Sequence, residues 1–188
     1  MNKNVINTDL TGKVAVVTGA GGVLCSAFSK TLARAGAKVA LLDINADAVA
    51  KVAAEIGENA LAVPTNCLDK AALEASKKII NEKLGAVNFL INGAGGNNPR
   101  ATTDKEYFEI GDIDGDTKSF FDLDDSGVSF VFNLNFLGTL IPTQAFARHM
   151  VGREGCSILN ISSMNAYTPL TKIPAYSGAK AAISNCTQ

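Results

Sequence analysis

The chain of 188 residues has no tryptophan, a single histidine and no long apolar run. No stretch approaches the roughly 18 apolar residues that a membrane-spanning helix needs, and residues 1–13 lack the apolar core of a secretion signal. The formal net charge is −1 and charged residues make up 19% of the chain. We therefore expect neither a basic nucleic-acid surface nor a charged disordered chain, and we expect no association with a membrane.

The cysteines are few and widely spaced, and they form no CxxC pair: Cys25, Cys67, Cys156 and Cys186. Without a secretion signal, this spacing predicts reduced thiols in a cytoplasmic protein. The single histidine, His149, cannot build a multi-histidine metal site by itself, and we expect it on the surface at a helix end. We predict no bound metal.

The apolar residues follow an alternating pattern of strands and helices. Continuous apolar runs predict five strands, at Lys13–Thr18, Lys38–Asp43, Ala60–Thr65, Val87–Asn92 and Ser157–Ser162. Helical spacing predicts helices between them, at Val23–Ala35, Ala46–Ile56, Lys70–Leu84 and Val128–Met150. Uninterrupted apolar strands are buried on both faces, which is typical of a parallel α/β sheet. The sequence therefore predicts a single Rossmann-type, doubly wound domain over residues 1–188.

Such sheets usually have six or more strands, and only five are found here. We therefore expect residues 1–188 to be the N-terminal portion of a longer protein whose C-terminal strands are missing.

A long polar stretch, Gly96–Gly127, interrupts the pattern. Residues 97–126 contain nine acidic side chains against Arg100, Lys105 and Lys118. A segment of this length in a compact domain is usually functional or disordered, and we predict an insertion at the substrate site. Asp112, Asp114 and Asp116 have part of a calcium-loop spacing, but Thr117 and Leu123 stand where that loop needs glycine and glutamate.

A glycine-rich segment, Thr18–Cys25, joins the first predicted strand to the first helix, and its glycines form the turn. Small residues let the backbone approach a pyrophosphate, and a helix N-terminus offers N–H groups and partial positive charge to it. Asp43 ends the second strand 24 residues after Gly19, near the spacing at which a carboxylate meets the adenosine ribose. Asp43 could instead cap the next helix, or it could serve both purposes. No cation follows it until Lys51, which favours NAD over NADP.

Tyr176 and Lys180 are four residues apart and share one face of a predicted helix. Ser162 and Ser163 close the fifth predicted strand. Because ligands of parallel sheets bind beyond the carboxyl ends of the strands, we expect one edge to gather five features: Gly19, Asp43, Gly93, Ser163 and the start of the Tyr176 helix.

Five motifs occur in the order seen in one known family: TGAGGVLC, INGAG, SFVFNLNFLGT, SILNISS and YSGAK. The chain resembles the short-chain dehydrogenases/reductases over nearly its whole length. The strings GAGGNNPRATT, GDIDGDTKSFFDL and SSMNAYTPLTKIPAYSGAK are similar to the D-mannonate oxidoreductase (fructuronate reductase) subgroup. The resemblance implies an NAD-dependent enzyme of hexuronate catabolism that interconverts D-fructuronate and D-mannonate, working as a dimer or tetramer.

The resemblance also implies a catalytic tetrad of Asn135, Ser163, Tyr176 and Lys180. Tyr176 would exchange the proton of the substrate oxygen, and Ser163 would hydrogen-bond that oxygen. Lys180 would supply a cation and hold the nicotinamide ribose, and Asn135 would anchor a water. In the alternative interpretation, Asn135 marks a helix bend and Ser163 is a helix cap.

The cofactor residues implied by the resemblance are Gly19, Gly21, Gly22, Val23, Leu24, Asp43, Asn66, Cys67, Asn92, Gly93, Ala94, Tyr176 and Lys180. Three features depart from the family pattern. Val23 and Cys25 stand where glycines are usual, Gly93 replaces an asparagine, and Asn66 replaces an aspartate.

The insertion begins beside Gly95, so the substrate candidates, together with Ser163, are Asn97, Asn98 and Arg100. Arginine binds carboxylates with two parallel hydrogen bonds, although Arg100 could equally be a solvated loop residue. The acidic insertion disfavours an anionic substrate. Lys105 and Lys118 lie among acids that would already occupy them.

Three other functions stay open at this point. The protein could be a dehydrogenase for another polyol or keto-acid such as gluconate. It could be a non-catalytic NAD-binding module, although such a module does not need the tyrosine. It could also be a sugar-nucleotide epimerase or dehydratase, but the usual GxxGxxG turn does not fit Gly19–Cys25.

Overall fold

The computed structural model describes residues 8–188, which form a five-stranded sheet flanked by helices. The strands are β1 (Val14–Thr18), β2 (Lys38–Asp43), β3 (Ala60–Pro64), β4 (Phe89–Asn92) and β5 (Ser157–Asn160). The helices are α1 (Val23–Arg34), α2 (Ala46–Ile56), α3 (Lys70–Lys83), α4 (Asp125–Phe132), α5 (Gly138–Ala147) and α6 (Pro174–Thr187). The spatial order is β3-β2-β1-β4-β5, and β1 pairs in parallel with both β2 and β4. The predicted Rossmann-type α/β fold is confirmed.

The strands and helices form for the reasons that the sequence indicates. All five residues of β1 are buried, as expected for a strand covered on both faces. The Asp69 side chain caps α3 by accepting from the N–H groups of Ala71 and Ala72. The Asn45 side chain caps α2 by accepting from Ala48 N. These caps define where the two helices start, which the spacing of apolar residues does not show by itself.

One long predicted helix, Val128–Met150, is divided in the structure. It begins earlier, at Asp125, because the Asp124 carboxylate caps it through Gly127 N at 3.0 Å. A π-helical segment, Asn133–Leu137, then separates α4 from α5. Because π segments inside helices are frequent at functional sites, the segment at Asn133–Leu137 is a candidate part of the active site.

The chain forms two compact units. The first comprises the described residues up to Gly93 together with Pro142–Leu159, and it contains the glycine turn and Asp43. The second comprises Ala94–Ile141 and Asn160–Gln188, and it contains all four residues of the predicted tetrad.

The acidic insertion is folded into short 3₁₀ turns, at Pro99–Ala101, Ile110–Asp112 and Phe120–Asp122. Lys105 Nζ lies 2.7 Å from Asp112 Oδ1 and 3.2 Å from Glu109 Oε2. Lys118 Nζ donates to the carbonyl of Pro99 at 2.7 Å. Acidic side chains occupy Lys105, as the sequence predicts, whereas a backbone carbonyl binds Lys118 Nζ in place of the expected acid. In residues 8–188, no helix is long and apolar enough to cross a bilayer.

Candidate active site

The glycine turn in the first unit exposes backbone at the start of α1. Gly19 has φ of 67°, a left-handed conformation that favours glycine, and its carbonyl accepts from Gly22 N at 3.0 Å. Gly22 is the N-cap of α1 and no side chain caps the helix there. Val23 is 93% exposed and Leu24 is exposed beside it. The turn thus presents a helix N-terminus in the form that suits a phosphate group.

Asp43 is held directly against this turn. Its carboxylate accepts from Gly21 N and from Asn45 N, both at 3.0 Å. A Cβ at Gly21 would lie 2.7 Å from Ala48 Cβ and 3.1 Å from Asp43 Oδ2, so this close approach requires glycine. Since Asn45 caps α2, the alternative interpretation of Asp43 as that cap is wrong. Asp43 remains a fixed negative charge beside the turn.

Asn66 and Cys67 follow the end of β3, next to Asp43. Thr65 N donates to the Asp43 carbonyl at 2.7 Å, which brings the two strand ends together. Asn66 Oδ1 accepts from Leu68 N at 3.0 Å, and Asn66 is exposed. Burial raises the pKa of the Cys67 thiol, and the negative charge of Asp43 raises it further. Cys67 is therefore a neutral side chain at this edge of the sheet.

Asn92 and Gly93 end β4 and differ in their surroundings. The Asn92 side chain is buried, and its Nδ2 donates to Thr143 Oγ1 at 2.9 Å. Gly93 N donates to Thr18 Oγ1 at 3.0 Å, so the end of β4 is tied to the residue before the glycine turn. In the first unit the structure therefore brings together the predicted positions 19, 21, 22, 43, 66, 67 and 93.

Asn135 lies in the π segment of the second unit and is fully buried. Its Nδ2 donates to Gly96 O at 2.7 Å and to Val131 O at 2.8 Å, while its Oδ1 accepts from Gly96 N at 3.2 Å. The alternative interpretation, a residue at a helix irregularity, thus agrees with the structure as well. The Asn135 amide is therefore fixed between the π segment and the loop that follows β4.

Tyr176 and Lys180 lie on α6, four residues apart as predicted. Lys180 is only 4% exposed; its Nζ donates to Ile161 O at 2.7 Å and lies 5.7 Å from the centroid of the Tyr176 ring. Tyr176 is half-buried and packs against an apolar cluster that includes Ala101 and Val131. The structure thus places a buried ammonium group beside the Tyr176 ring.

Gly95 shows where Asn135 and Lys180 converge. A Cβ at this position would lie 2.6 Å from Asn135 Oδ1 and 3.3 Å from Lys180 Nζ. Both polar groups therefore lie close to position 95, and only a glycine fits there without a collision. Sequence reasoning did not assign this residue to the site. The available signal was the last glycine of INGAG. A glycine is required there because of contacts with residues that are distant in the chain.

Ser163 follows β5 rather than closing it, because the strand ends at Asn160. Its Oγ accepts from Asn165 N at 3.2 Å and caps a short 3₁₀ turn, so the cap interpretation is correct. The hydroxyl proton remains available for donation to another oxygen. The neighbouring Ser162 is engaged with Ser184 Oγ at 2.6 Å, which leaves Ser163 as the candidate.

Asn165 is a second residue that sequence reasoning missed. It is 4% exposed, and its Oδ1 is buried with no hydrogen-bond partner within residues 8–188. A buried acceptor without a partner is costly, so such a group indicates a site that a donor normally fills. No sequence signal distinguishes Asn165 from the other residues of the loop.

The candidate substrate residues lie at the start of the insertion. Asn97 Nδ2 donates to Thr102 Oγ1 at 2.8 Å, and Asn98 Oδ1 accepts from Arg100 N at 2.9 Å. These contacts give both asparagines a structural role in the loop. Arg100 is exposed and, within residues 8–188, its guanidinium forms no ion pair. His149 is exposed, as predicted.

The sequence pattern of the family described as short chain dehydrogenase matches residues 13–188. The chain belongs to the short-chain dehydrogenase family. An "uncharacterized oxidoreductase" of Haemophilus influenzae is 56% identical over 185 residues, which is 97% of this chain and 65% of that protein. A sorbitol dehydrogenase of Cereibacter sphaeroides is 31% identical over 95% of this chain and 63% of its own length. The chain thus spans about two thirds of the length of these relatives.

A solved structure from Haemophilus influenzae shares the fold closely, with a TM-score of 0.93 and 56% sequence identity. It covers 96% of this chain, which in turn covers 65% of it. That protein is provisionally named a D-mannonate oxidoreductase and contains bound NAD.

Proposed function

We propose that this chain is the dinucleotide-binding and catalytic part of an NAD-dependent oxidoreductase. The observation that carries the proposal is Lys180, a buried cation 5.7 Å from the Tyr176 ring, with Asn135 fixed beside it at Gly95. A module that only bound the cofactor would not need a buried ammonium group beside a half-buried phenol. Bound NAD(H) would donate or accept the hydride.

The residues of the first unit fit this cofactor. The Gly19–Gly22 turn leaves bare backbone where a Cβ at Gly21 would collide, and it offers the α1 N-terminus to a pyrophosphate. Asp43, held by two backbone N–H groups, would accept hydrogen bonds from the adenosine ribose hydroxyls. The same carboxylate would repel a 2′-phosphate, which favours NAD over NADP.

In the second unit, each tetrad residue has a defined task. Lys180 would stabilise the negative charge that develops on the Tyr176 oxygen while a proton is exchanged with the substrate. Tyr176 would give its proton to the carbonyl oxygen during reduction and take it back during oxidation. Ser163, whose Oγ already accepts from Asn165 N, would donate its own proton to the same oxygen. Asn135 would fix a water that connects Lys180 to solvent.

We infer that the substrate is a keto-sugar acid, D-fructuronate, reduced to D-mannonate. The name of the 56% identical Haemophilus influenzae protein supports this choice. Arg100 supports it as well, because it is the first cation after Gly95 and its guanidinium is exposed, whereas Lys105 and Lys118 are engaged.

A second candidate is a polyol dehydrogenase acting on a neutral sugar alcohol. The 31% identical sorbitol dehydrogenase and the acidic composition of the insertion favour it. The oligomeric assembly and the cytoplasmic location expected from the sequence also remain predictions for the whole protein.

The deciding experiment follows NADH consumption by the full-length protein with D-fructuronate beside neutral ketoses such as fructose, and Tyr176→Phe as the control. Fructuronate should give the highest kcat/KM, and the control should be inactive throughout. Faster reduction of a neutral ketose would assign the protein to the polyol class. NADH binding without turnover of any keto-sugar would contradict both candidates.

A further inference from the structure

The side chain of Cys25 fills the space beside Gly93. Its Sγ lies 2.1 Å from the point where the Cβ of any larger residue at position 93 would stand. No real Cβ tolerates such an approach. Gly93 does not have a positive φ, so its backbone would accept an alanine. The obstacle to a side chain at position 93 is therefore the thiol of Cys25 and, less severely, the Thr18 carbonyl at 3.1 Å.

The backbone of both residues is held in place, and the thiol is buried. Cys25 is 3% exposed in the first turn of α1, and its carbonyl accepts from Ser29 Oγ at 2.8 Å. Gly93 is fixed on the other side, since its N–H donates to Thr18 Oγ1 at 3.0 Å. Well-packed interiors respond to one added methyl group with strain rather than with free rearrangement.

The two residues flank the segment that approaches the phosphates. Thr18 directly precedes Gly19, and Cys25 is the third residue of the helix that the Gly19–Gly22 turn starts. Ser26 N donates to Gly22 O at 2.9 Å, so the first helical turn and the glycine turn are hydrogen-bonded to each other. Pushing Cys25 and Gly93 apart would therefore displace the turn itself.

We propose that Cys25 and Gly93 form a reciprocal packing pair that positions the glycine turn for the dinucleotide. The sulfur atom occupies the volume that the missing side chain at position 93 leaves. The two departures from the family pattern therefore compensate each other: a larger side chain at position 25 accompanies the loss of a side chain at position 93. Cys25 is a positioning residue, and this role rests on the proposed binding of NAD at the turn.

A double-mutant cycle on the full-length protein tests the pair, with NADH affinity measured by fluorescence titration and Tm measured separately. Gly93→Ala should weaken NADH binding by roughly tenfold or more, because the methyl group collides with the thiol. Cys25→Ala removes the sulfur and leaves Cys25 Cβ 3.7 Å from the added methyl, an ordinary contact. The Thr18 carbonyl still lies 3.1 Å from that methyl group, so the double variant should regain most, but not all, of the lost affinity and bind NADH at least about threefold more tightly than Gly93→Ala.

Two matched variants control for the chemistry. Gly111→Ala adds a methyl group where nothing lies within 4 Å, and Cys186→Ala removes an exposed thiol. Both should leave NADH affinity unchanged. Should Gly93→Ala fail to fold, a soluble, NADH-binding double variant still supports the pair, and an insoluble double variant overturns it.

Two other results would also overturn the proposal. One is a Gly93→Ala variant that melts earlier but binds NADH as the wild type does, since the pair would then be structural only. Another is independent, additive effects of the two substitutions. If the wild type itself bound no NADH, the proposed function would fail, while restoration of Tm in the double variant would still show the packing exchange.

Discussion

Replacing Gly95 with alanine tests whether activity depends on the close approach of Asn135 and Lys180 to this residue. The added methyl group would lie 2.6 Å from Asn135 Oδ1 and 3.3 Å from Lys180 Nζ. The first distance is too short for any carbon–oxygen contact, so at least one of the polar groups must move. The backbone itself is not an obstacle, because Gly95 does not have a positive φ.

Asn135 cannot yield without a cost. It is fully buried, and its Nδ2 donates to Gly96 O and Val131 O at 2.7 and 2.8 Å. A hydrogen bond contributes about 0.5–1.5 kcal/mol net, and overpacking of an interior costs about 1–3 kcal/mol. We expect Gly95→Ala to lower the free energy of unfolding by about 1–3 kcal/mol, measured by denaturant titration.

The activity of the folded variant should fall as well. A shift of Lys180 Nζ changes the position of the cation relative to the Tyr176 ring, which lies 5.7 Å away in the structure. Each loss of about 1.4 kcal/mol in transition-state stabilisation lowers the rate tenfold. We expect kcat/KM to fall by roughly 10- to 100-fold, measured with NADH and the keto-sugar that the wild type reduces fastest.

The neighbouring glycine provides the control. In Gly96→Ala the nearest atom to the new methyl group would be Leu134 Cδ2 at 3.9 Å, an ordinary contact. This variant should retain nearly the kinetics of the wild type. Wild-type kcat/KM in Gly95→Ala, or equal damage in Gly96→Ala, would refute the reasoning.

Four further predictions concern single side chains. Tyr176→Phe should remove nearly all turnover while NADH still binds, and a variant that keeps about a tenth of the wild-type rate would disprove its role. Because the Asp43 carboxylate is fixed by two N–H groups, kcat/KM should be higher with NADH than with NADPH; equal values would contradict this. Arg100→Ala should lower kcat/KM for the sugar acid by roughly 10- to 150-fold and spare a neutral keto-sugar, whereas equal losses would leave it a loop residue. The Lys105 side chain and Glu109 N–H lower the pKa of Asp112, so its contribution to stability is complete above the unfolded value of about 3.9 and is lost as the pH falls through the folded pKa. The Tm deficit of Asp112→Asn should accordingly be present at neutral pH and shrink in acid; a constant deficit would exclude the ion pair.

Much of the fold could be predicted from the sequence because the signals are local. The strand β1 is a continuous apolar run, and Asp69 precedes a helical pattern that it caps. The glycine turn and the spacing of Tyr176 and Lys180 are equally local, and the order of the motifs identified the family. Such features depend on backbone preference and on burial of both sheet faces, which neighbouring residues determine.

The details of the helix after the insertion could not be predicted in this way. Apolar periodicity continues through Asn135 and gives no sign of a π segment there. The bulge accompanies hydrogen bonds from the Asn135 amide to Gly96, 39 residues away along the chain. Likewise, the sequence predicts Ser163 as the catalytic serine, but it does not show that Ser162 is engaged by Ser184 of α6.

The sequence by itself therefore determined the fold class and the family, and it predicts the residues of the tetrad. Only the tertiary structure decided that Gly95 borders both Asn135 and Lys180, and that Cys25 occupies the volume beside Gly93. It also decided that Asn45, not Asp43, caps α2. These facts depend on which distant atoms the packed chain brings within van der Waals contact. A one-dimensional pattern encodes the burial and local conformation of each residue, but not the distances between side chains that folding brings together.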